Sequence, residues 1–460
     1  MAGGRAATLY GHELGGLLRL AGPLVINQLG QVGMSTADTI MVGPLGAQPL
    51  AAVGLGSALH HFALLLTTGV VMGMTPVVSQ AFGAGNLDGC RRALVQGVWL
   101  ALLLSVPVAL FCLAGGRLSL LLGQDAAVAD LTGRYMQALA AGMAPALLFV
   151  AARQYLEGMG RATAPMVVTF IGLAVNIVAN RVLIYGVEGW VPAMGVVGSG
   201  WATTIVRWTM LIGIAGVLAG HRSLPSLRVS LRPRRLELAR ILAIGGPVGA
   251  QFGLEVGLFS FAAVMMGWLG ALELAAHQVT LNIAATTFMV SLGASLAGSI
   301  RVGQHIGARR RHAVRRAVLS TYAVCTGFML CCALVFVLAP RALIGLYTPD
   351  AEIIALGSRL LLVAAAFQLF DGAQVAGLSV LRGAADTRVP MAVAAVGYWG
   401  IGLPVGYALA FRGGLGALGI WAGLSLGLAA VAILLALRVR RVFWRAPVRR
   451  LASTGVRDLR

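Results

Sequence analysis

The sequence predicts an all-α integral membrane protein with twelve transmembrane helices in two six-helix lobes, related by a pseudo-twofold axis. Two observations carry this prediction. The 460 residues are 58% hydrophobic and only 11% charged, a balance too apolar for the surface of a soluble protein. The chain also repeats itself at a spacing of 224 residues, as between Pro23 and Pro247.

Twelve apolar stretches run along the chain, and each approaches or exceeds the roughly 20 residues that a helix needs to cross the hydrocarbon core. Between them we find no alternation of polar and apolar residues of the kind that is typical of a β-barrel. The stretches fall near residues 17–43, 51–82, 93–115, 136–152, 164–186, 195–218, 241–267, 275–300, 317–339, 353–379, 389–411 and 416–437.

The first stretch contains Asn27, Gln28, Gln31 and Asp38, and it has no small-residue cleavage site with a polar mature domain behind it. A secretory signal peptide has an uninterrupted apolar core followed by such a site. We therefore expect this stretch to remain on the protein as a transmembrane helix.

The formal net charge of +20 comes from arginines, and these arginines sort by loop. If the stretches alternate in direction, one side of the membrane receives residues 222–240, residues 301–316, Arg382 and the arginines from Arg438 onward. The positive-inside rule makes that side cytoplasmic and places both termini there, in agreement with an even number of spans. The arginines then orient the chain and attract anionic headgroups, so we expect no nucleic-acid partner.

The five cysteines predict neither covalent nor metal chemistry. Cys90 falls in a predicted cytoplasmic loop, and the other four lie within apolar stretches. They show no metal-type spacing and no extracytoplasmic pair, so we expect no disulfide, no zinc site and no cofactor.

Three blocks of the first half recur, in order, in the second half. The first block matches Gly22-Pro23 with Gly246-Pro247 and Leu45-Gly46-Ala47 with Leu269-Gly270-Ala271, at a spacing of 224 residues. The second matches Arg91-Arg92-Ala93 with Arg315-Arg316-Ala317 at the same spacing, and the third matches Leu156 and Gly158 with Leu381 and Gly383 at a spacing of 225.

Each half therefore holds six spans. An even number of spans returns the chain to its starting side, so the two halves share one orientation about an axis along the membrane normal, with a central cavity between them. We expect an N-lobe at 1–218, a cytoplasmic linker at 219–240, a C-lobe at 241–440 and a basic cytoplasmic tail at 441–460.

Three of the fifteen acidic residues fall well inside the apolar stretches, namely Asp38, Glu255 and Asp371. An ionised carboxylate at the bilayer centre costs about 2.5–3.5 kcal/mol even on lenient scales, so such residues face a cavity, find a partner or hold a proton. Burial raises the pKa of a carboxyl group, which suits a group that binds and releases H⁺, and Na⁺ is the alternative occupant. A permanent ion pair that fixes the packing is the other interpretation.

Asn176 and Asn180 lie one helical turn apart in the fifth stretch, and Thr203 follows in the sixth. Together with Asp38 they supply the oxygens that a small hard cation prefers. Hydrogen bonding between packed helices is an equally good explanation for the two amides alone. For the substrate cavity we expect Gln31, Phe288 and Phe367, since such cavities combine aromatic and a few polar side chains.

Several long segments resemble one known family, multidrug and toxic compound extrusion (MATE), in its bacterial NorM-like branch. The resemblance extends over nearly the whole chain and in the same order. The segments are GPLVINQLGQVGMSTADTIMVG at 22–43, MGVVGSGWATTI at 194–205, AAHQVTLNIAATTFM at 275–289, RVGQHIGA at 301–308 and FQLFDGAQVAGLSVLRGAADTRVPM at 367–391.

The resemblance implies a MATE/MOP-type fold and a secondary transporter that exports cationic or amphipathic drugs and metabolites in antiport with Na⁺ or H⁺. It assigns Glu255 and Asp371 to a cation site in the C-lobe, and Asp38 with its polar neighbours to a second site in the N-lobe. NorM-like members often have a tyrosine where this chain has Phe367, and this difference leaves the coupling ion open. We expect a monomer in the bacterial inner membrane.

Two other functions remain possible at this point. A flippase for lipid-linked precursors shares the same superfamily, but an anionic headgroup favours a basic cavity. A membrane-embedded enzyme is the second, but the sequence has no metal cluster, no nucleophile elbow and no paired aspartates in a Gly-Xaa-Gly-Asp setting.

Overall fold

The computed structural model of the chain describes residues 2–220 and 230–445, without the side chains of residues 2–9. The middle of the predicted linker, 221–229, and most of the predicted tail, 446–460, lie outside the described residues. Within the described ranges the chain is almost entirely helical. Its helices are α1 (Ala2–Val42), α2 (Ala47–Val71), α3 (Met74–Gly83), α4 (Leu87–Leu113), α5 (Gly115–Leu121), α6 (Ala126–Ala140), α7 (Met143–Gly158), α8 (Thr163–Tyr185), α9 (Gly195–Gly220), α10 (Arg235–Leu269), α11 (Ala271–Gly307), α12 (Arg311–Leu338), α13 (Pro340–Gly345), α14 (Ala351–Gly383), α15 (Arg388–Ala395), α16 (Leu403–Tyr407) and α17 (Gly416–Arg440).

Ten helical segments of the described chain are long and apolar enough to cross a membrane, and an eleventh is the pair α6 and α7, which is bent by 49°. The remaining predicted span is α1, whose 41 residues are long enough to cross. The mean hydropathy of its apolar part is lowered by Asn27, Gln28 and Gln31. For this reason α1 is not among the helices that are apolar enough to cross a membrane. The polar residues that make α1 interesting for function thus also weaken its hydrophobic signal.

The described chain forms two compact units, and three helices contribute to both: α1, α10 and, through its last residue Gly83, α3. The C-unit contains the described residues of 1–25, 83–85 and 250–460, and the N-unit contains those of 26–82 and 86–249. Helix α1 therefore passes from the C-unit into the N-unit after Val25, and α10 passes from the N-unit into the C-unit after Gly249.

In the C-unit, α14 packs against α11, α12 and α17. An aromatic group lies at the centre of this packing, where the fully buried Trp421 of α17 contacts the rings of Phe367 and His277 at centroid distances of 5.7 and 5.8 Å. Small residues allow the backbones to approach closely, which is the main source of helix association in lipid. Gly427 of α17, for example, lies directly against Gly402 of the neighbouring span.

That neighbouring span, which runs from Arg388 to Arg412, is not a regular α-helix. Its segments Val396–Gly402 and Ala408–Arg412 are π-helical. Single π-helical turns inside α-helices occur frequently at functional sites, because they change the direction of nearby side chains. The first of these segments contains Tyr398, which lies near the acids of the C-unit.

In the N-unit, α8 packs against α9, α4 against α7, and α2 against α6. The start of α10 also belongs to this unit, and it approaches α2 through Gly245. A Cβ atom built at Gly245 would collide with the backbone carbonyl of Val70, whereas one at Gly246 would have no atom within 4 Å. A glycine is thus required at the first position and not at the second.

We expect Gly245→Ala to lower the free energy of unfolding by about 1–3 kcal/mol or more, because a backbone carbonyl cannot move aside as a flexible side chain does. Gly246→Ala is the matched control, and it should be neutral or stabilising by up to about 1 kcal/mol because alanine favours the helix. Thermal unfolding of the two purified variants in detergent measures the difference. Equal melting temperatures would contradict the close approach.

Candidate functional site

The N-unit brings Asp38 of α1 together with Asn176 and Asn180 of α8. The two amide nitrogens donate hydrogen bonds to the same carboxylate oxygen, Oδ1 of Asp38, at 2.9 Å from Asn176 and 2.6 Å from Asn180. Their spacing of four residues places both amides on one face of α8. Asp38 itself is half-buried, whereas the two asparagines are almost fully buried.

The amide oxygens of Asn176 and Asn180 are buried, and neither has a hydrogen-bond partner among the described residues. A buried acceptor without a donor costs about 1–3 kcal/mol. Rotation of an asparagine side chain by half a turn exchanges its oxygen and nitrogen. The two side chains can therefore turn their unsatisfied oxygens towards a cation bound at Asp38, so this group of residues fits a small monovalent cation.

Thr203 and Arg207 of α9 complete the surroundings of Asp38. Thr203 lies beside the carboxylate, although its hydroxyl donates to the carbonyl of Ser199 at 3.1 Å. The guanidinium of Arg207 is near enough to act on Asp38 electrostatically, and its Nη2 lies 2.8 Å from Nε2 of His60. The sequence places Arg207 inside a span, but it does not show that the arginine shares the site with Asp38.

The C-unit brings Glu255 of α10 near Asp371 of α14, close enough for the two carboxylates to interact electrostatically. Asp371 is 5% exposed and Glu255 is half-buried. Across the described residues, neither carboxylate has a side-chain hydrogen bond or an ion-pair partner within 4 Å. The two acids thus lie within apolar helices without a direct hydrogen-bond or ion-pair partner, which is the arrangement expected of groups that bind a mobile ion.

Tyr398, in the first π-helical segment, is the third oxygen-bearing side chain at this site. Its phenol lies near both Glu255 and Asp371, and it accepts a hydrogen bond from Nε2 of Gln374. Because Gln374 occupies the oxygen as a donor, the phenolic hydrogen remains free to reach a carboxylate. Nothing in the sequence singles out Tyr398, since a tyrosine within a span is unremarkable until its neighbours are known.

Arg382 also lies near the C-unit site, and the side of the membrane on which it was placed from the sequence stays a prediction. It lies at the end of α14 and is only 4% exposed. Its guanidinium lies over the ring of Phe252 at 5.8 Å and acts electrostatically on Glu255. Arg382 lies on a helix and not in a loop, because α14 continues to Gly383, beyond the apolar stretch that ends near 379.

The residues expected at the substrate cavity are distributed over both units. Gln31 is exposed on α1 in the N-unit, and Phe288 is half-buried on α11 in the C-unit. Phe367 is 4% exposed and makes edge-on contacts with Phe259 and Trp421. The role of these three residues stays a prediction.

The structure also contains a buried acid in the N-unit that the sequence did not single out. Glu157 of α7 is 3% exposed, and its Oε1 lies 3.6 Å from Nε of Arg153 and 3.4 Å from Nδ2 of Asn27. It escaped notice because α7 extends to Gly158, past the apolar stretch 136–152. Unlike Glu255 and Asp371, Glu157 has a charged partner one helical turn away.

A separate ion-pair cluster joins the beginning of α1 to the end of α11 within the C-unit. Both carboxylate oxygens of Glu13 accept hydrogen bonds from Arg301 at 2.9 Å, and Nε2 of His305 lies 3.1 Å away. Burial alone would raise the pKa of Glu13, but the hydrogen bond with His305 and the charge of Arg301 outweigh it, so the pKa lies below the usual 4.5. The carboxylate therefore stays ionised at neutral pH, and the cluster holds the first turns of α1 in the C-unit.

Comparison with known proteins assigns this architecture. Residues 23–182 and 247–408 match the sequence profile of the MatE family, and the two matches begin at the spacing of the internal repeat. A probable multidrug resistance protein NorM from Mesorhizobium japonicum is 37% identical over 95% of this chain and 96% of its own length. The multidrug resistance protein NorM of Burkholderia vietnamiensis is 38% identical over 91% of this chain and 92% of its own.

Solved structures confirm the predicted fold. The crystal structure of a eukaryotic MATE transporter superposes with a TM-score of 0.86 at 20% identity, covering 97% of this chain and 98% of its own. An outward-facing multidrug resistance MATE family transporter of the MOP superfamily gives a TM-score of 0.84 at 23% identity, covering 94% of this chain and 96% of its own.

Proposed function

The chain belongs to the multidrug and toxic compound extrusion (MATE) family, and from this premise we propose that it is a secondary transporter that exports cationic or amphipathic small organic molecules in exchange for Na⁺ or H⁺. The family consists of transporters, so the flippase and the membrane enzyme are not favoured. The observation that carries the proposal is the pair of carboxylates, Glu255 and Asp371, which lie within apolar helices and have no hydrogen-bond or ion-pair partner within 4 Å among the described residues.

The proposed coupling follows from competition for these carboxylates. An organic cation and an inorganic cation both stabilise an ionised acid, but the site cannot balance both positive charges at once. Binding of the ion therefore favours release of the substrate, and binding of the substrate favours release of the ion. The gradient of the ion drives export only to the extent that the ion binds the two orientations of the transporter with different affinity.

The two units offer different surroundings to the coupling ion. At Asp38 one carboxylate stands beside two reorientable amides, which resembles the oxygen-rich set that a hard metal cation such as Na⁺ prefers. At Glu255 and Asp371 the neighbouring polar and titratable groups include Tyr398, Gln374, Arg382 and the thiol of Cys325, none of which is a second carboxamide or carboxylate reaching the same oxygen, and this suits a proton. We propose that the protein acts as a monomer in the inner membrane, with both termini in the cytoplasm as the arginine distribution predicts.

Transport by the purified protein tests this function. Proteoliposomes that contain only this protein are loaded with ethidium, a fluorescent organic cation, and a Na⁺ or a H⁺ gradient is imposed separately. We expect ethidium movement against its gradient with at least one ion, together with movement of that ion in the opposite direction. Gradient-independent movement of a labelled lipid without ethidium transport would instead support the flippase, and chemical alteration of the substrate would support an enzyme.

A further inference from the structure

We propose that Arg382 is the fixed counter-charge of Glu255 in the C-unit site, and that it limits this site to one mobile monovalent cation in each transport cycle. The inference rests on the proposed function, because it concerns the ion-binding role of Glu255 and Asp371. It begins from an unusual side chain. Arg382 is 4% exposed, and its Nε and Nη1 have no hydrogen-bond partner in the described part of the chain.

Helix geometry directs Arg382 back along α14. Asp371 and Arg382 are eleven residues apart on α14, or about three turns, so they lie on one face of the helix. A helical side chain leans towards the N-terminus of its own helix. The guanidinium of Arg382 therefore leans back along α14, but Asp371 lies about 16 Å away along the helix axis, and the acid on which Arg382 acts electrostatically is Glu255.

Helix α10 presents Glu255 to the same guanidinium. Phe252 precedes Glu255 by three residues, so the two side chains are neighbours on one face of α10. The guanidinium rests on the Phe252 ring at 5.8 Å, which is within the range of a cation–π contact. It lies more than 4 Å from the Glu255 carboxylate, yet near enough to act on it electrostatically.

The internal repeat supplies an independent comparison. At the repeat spacing, Glu255 corresponds to Gln31, and Arg382 corresponds to Glu157. In the first half, the neutral Gln31 stands in place of Glu255. The acid Glu157 stands in place of Arg382, and it is balanced by Arg153 at 3.6 Å. Where the second half has an acid, it has an arginine. The positive charge at 382 thus accompanies the negative charge at 255.

The charge balance leads to the stoichiometry. With both carboxylates ionised, Glu255, Asp371 and Arg382 together carry one net negative charge, and a single Na⁺ or H⁺ neutralises it. Without Arg382 the same site would carry two negative charges at lipid depth, where each uncompensated charge is costly. The other titratable groups near the acids, Tyr398 and the thiol of Cys325, are neutral in their ordinary state and do not alter this count.

The pH dependence of ethidium binding and transport tests the proposal. Without the positive charge of Arg382, the acids should hold a proton to a higher pH in Arg382→Gln. Because a protonated acid does not bind the organic cation, the pH at which half of the ethidium is bound should rise by at least about one unit, a tenfold change in proton concentration. Arg382→Lys keeps the charge and should keep the midpoint close to that of the parent protein. Arg388→Gln is the matched control, because Arg388 is exposed six positions further along the chain.

Three outcomes separate this inference from the proposed function. A parent protein without ion-driven transport would remove the function itself. If the parent protein shows ion-driven transport but Arg382→Gln keeps the same pH of half-maximal ethidium binding, even at a reduced maximal rate, Arg382 is merely structural. That result would overturn the inference. If Arg382→Gln does not fold, ion binding to an Asp38→Asn protein, which isolates the C-unit site, is measured instead. One ion per protein supports the inference, and two ions overturn it.

Discussion

Replacement of Asp371 by asparagine, or of Glu255 by glutamine, is expected to reduce ion-driven export to background. A carboxylate about 4 Å from a monovalent cation contributes about 4 kcal/mol at an effective dielectric constant near 20, which corresponds to roughly three orders of magnitude in affinity. Neither acid has a permanent partner in the described residues, so the loss falls on the bound ion and not on the packing. Ethidium export from proteoliposomes measures the effect.

The stability of the same two variants distinguishes a functional acid from a structural one. A neutral amide of nearly the same size at 371 removes a charge from lipid depth, so we expect the melting temperature of Asp371→Asn in detergent to stay the same or rise. Glu255→Gln also removes the charge that acts on the buried Arg382, so its melting temperature should fall but the protein should remain folded. Glu352→Gln is the control, because Glu352 lies on α14 as Asp371 does but is exposed. Retained export in both variants, or unfolding of both, would exclude these carboxylates as the ion site.

Replacement of Asp38 by asparagine is expected to abolish export and also to destabilise the N-unit. Asp38 accepts hydrogen bonds from Asn176 and Asn180, and hydrogen bonds to a charged group contribute about 1.5–3 kcal/mol each. The asparagine retains an acceptor oxygen but loses the charge, so part of this stabilisation is lost together with the affinity for a cation. Export and thermal unfolding are measured on the same preparation.

Protection by Na⁺ shows whether this site binds a metal cation. Binding to the folded state alone raises stability by about 2.7 kcal/mol at a ligand concentration one hundred times the Kd. We expect this protection to disappear in Asp38→Asn and to persist in Asp88→Asn, which alters an acid of the same unit that is paired with Arg91 at 2.9 Å and remains exposed. Equal protection of both variants would place the metal elsewhere, and no protection of the parent protein would favour a proton at Asp38.

The residues that the sequence identified and those that it missed differ in a physical way. Asp38, Glu255 and Asp371 were found because an acid stands out within a long apolar stretch, where its cost demands an explanation. Glu157 and Arg382 were missed because each lies just beyond the apolar stretch, on a helix that continues past it. Hydropathy detects where the lipid begins, and it does not detect where a helix ends.

The number and kind of spans, the duplication and the family could be inferred from the chain alone, since they depend on composition and on residue order over long distances. The comparisons confirm the family and the fold. The roles of Asp38, Glu255 and Asp371 as cation ligands stay predictions.

The pairing of Arg207 with His60, the approach of Tyr398 to the acids and the contact of Arg382 with Phe252 became visible only in the folded molecule. Each depends on how a long or large side chain reaches across from one helix to another. The pattern of apolar residues does not predict these contacts. It specifies which face of a helix is buried, but not which residue of the next helix that face contacts. The packing of the helices settles these contacts, and with them the charge that surrounds each site.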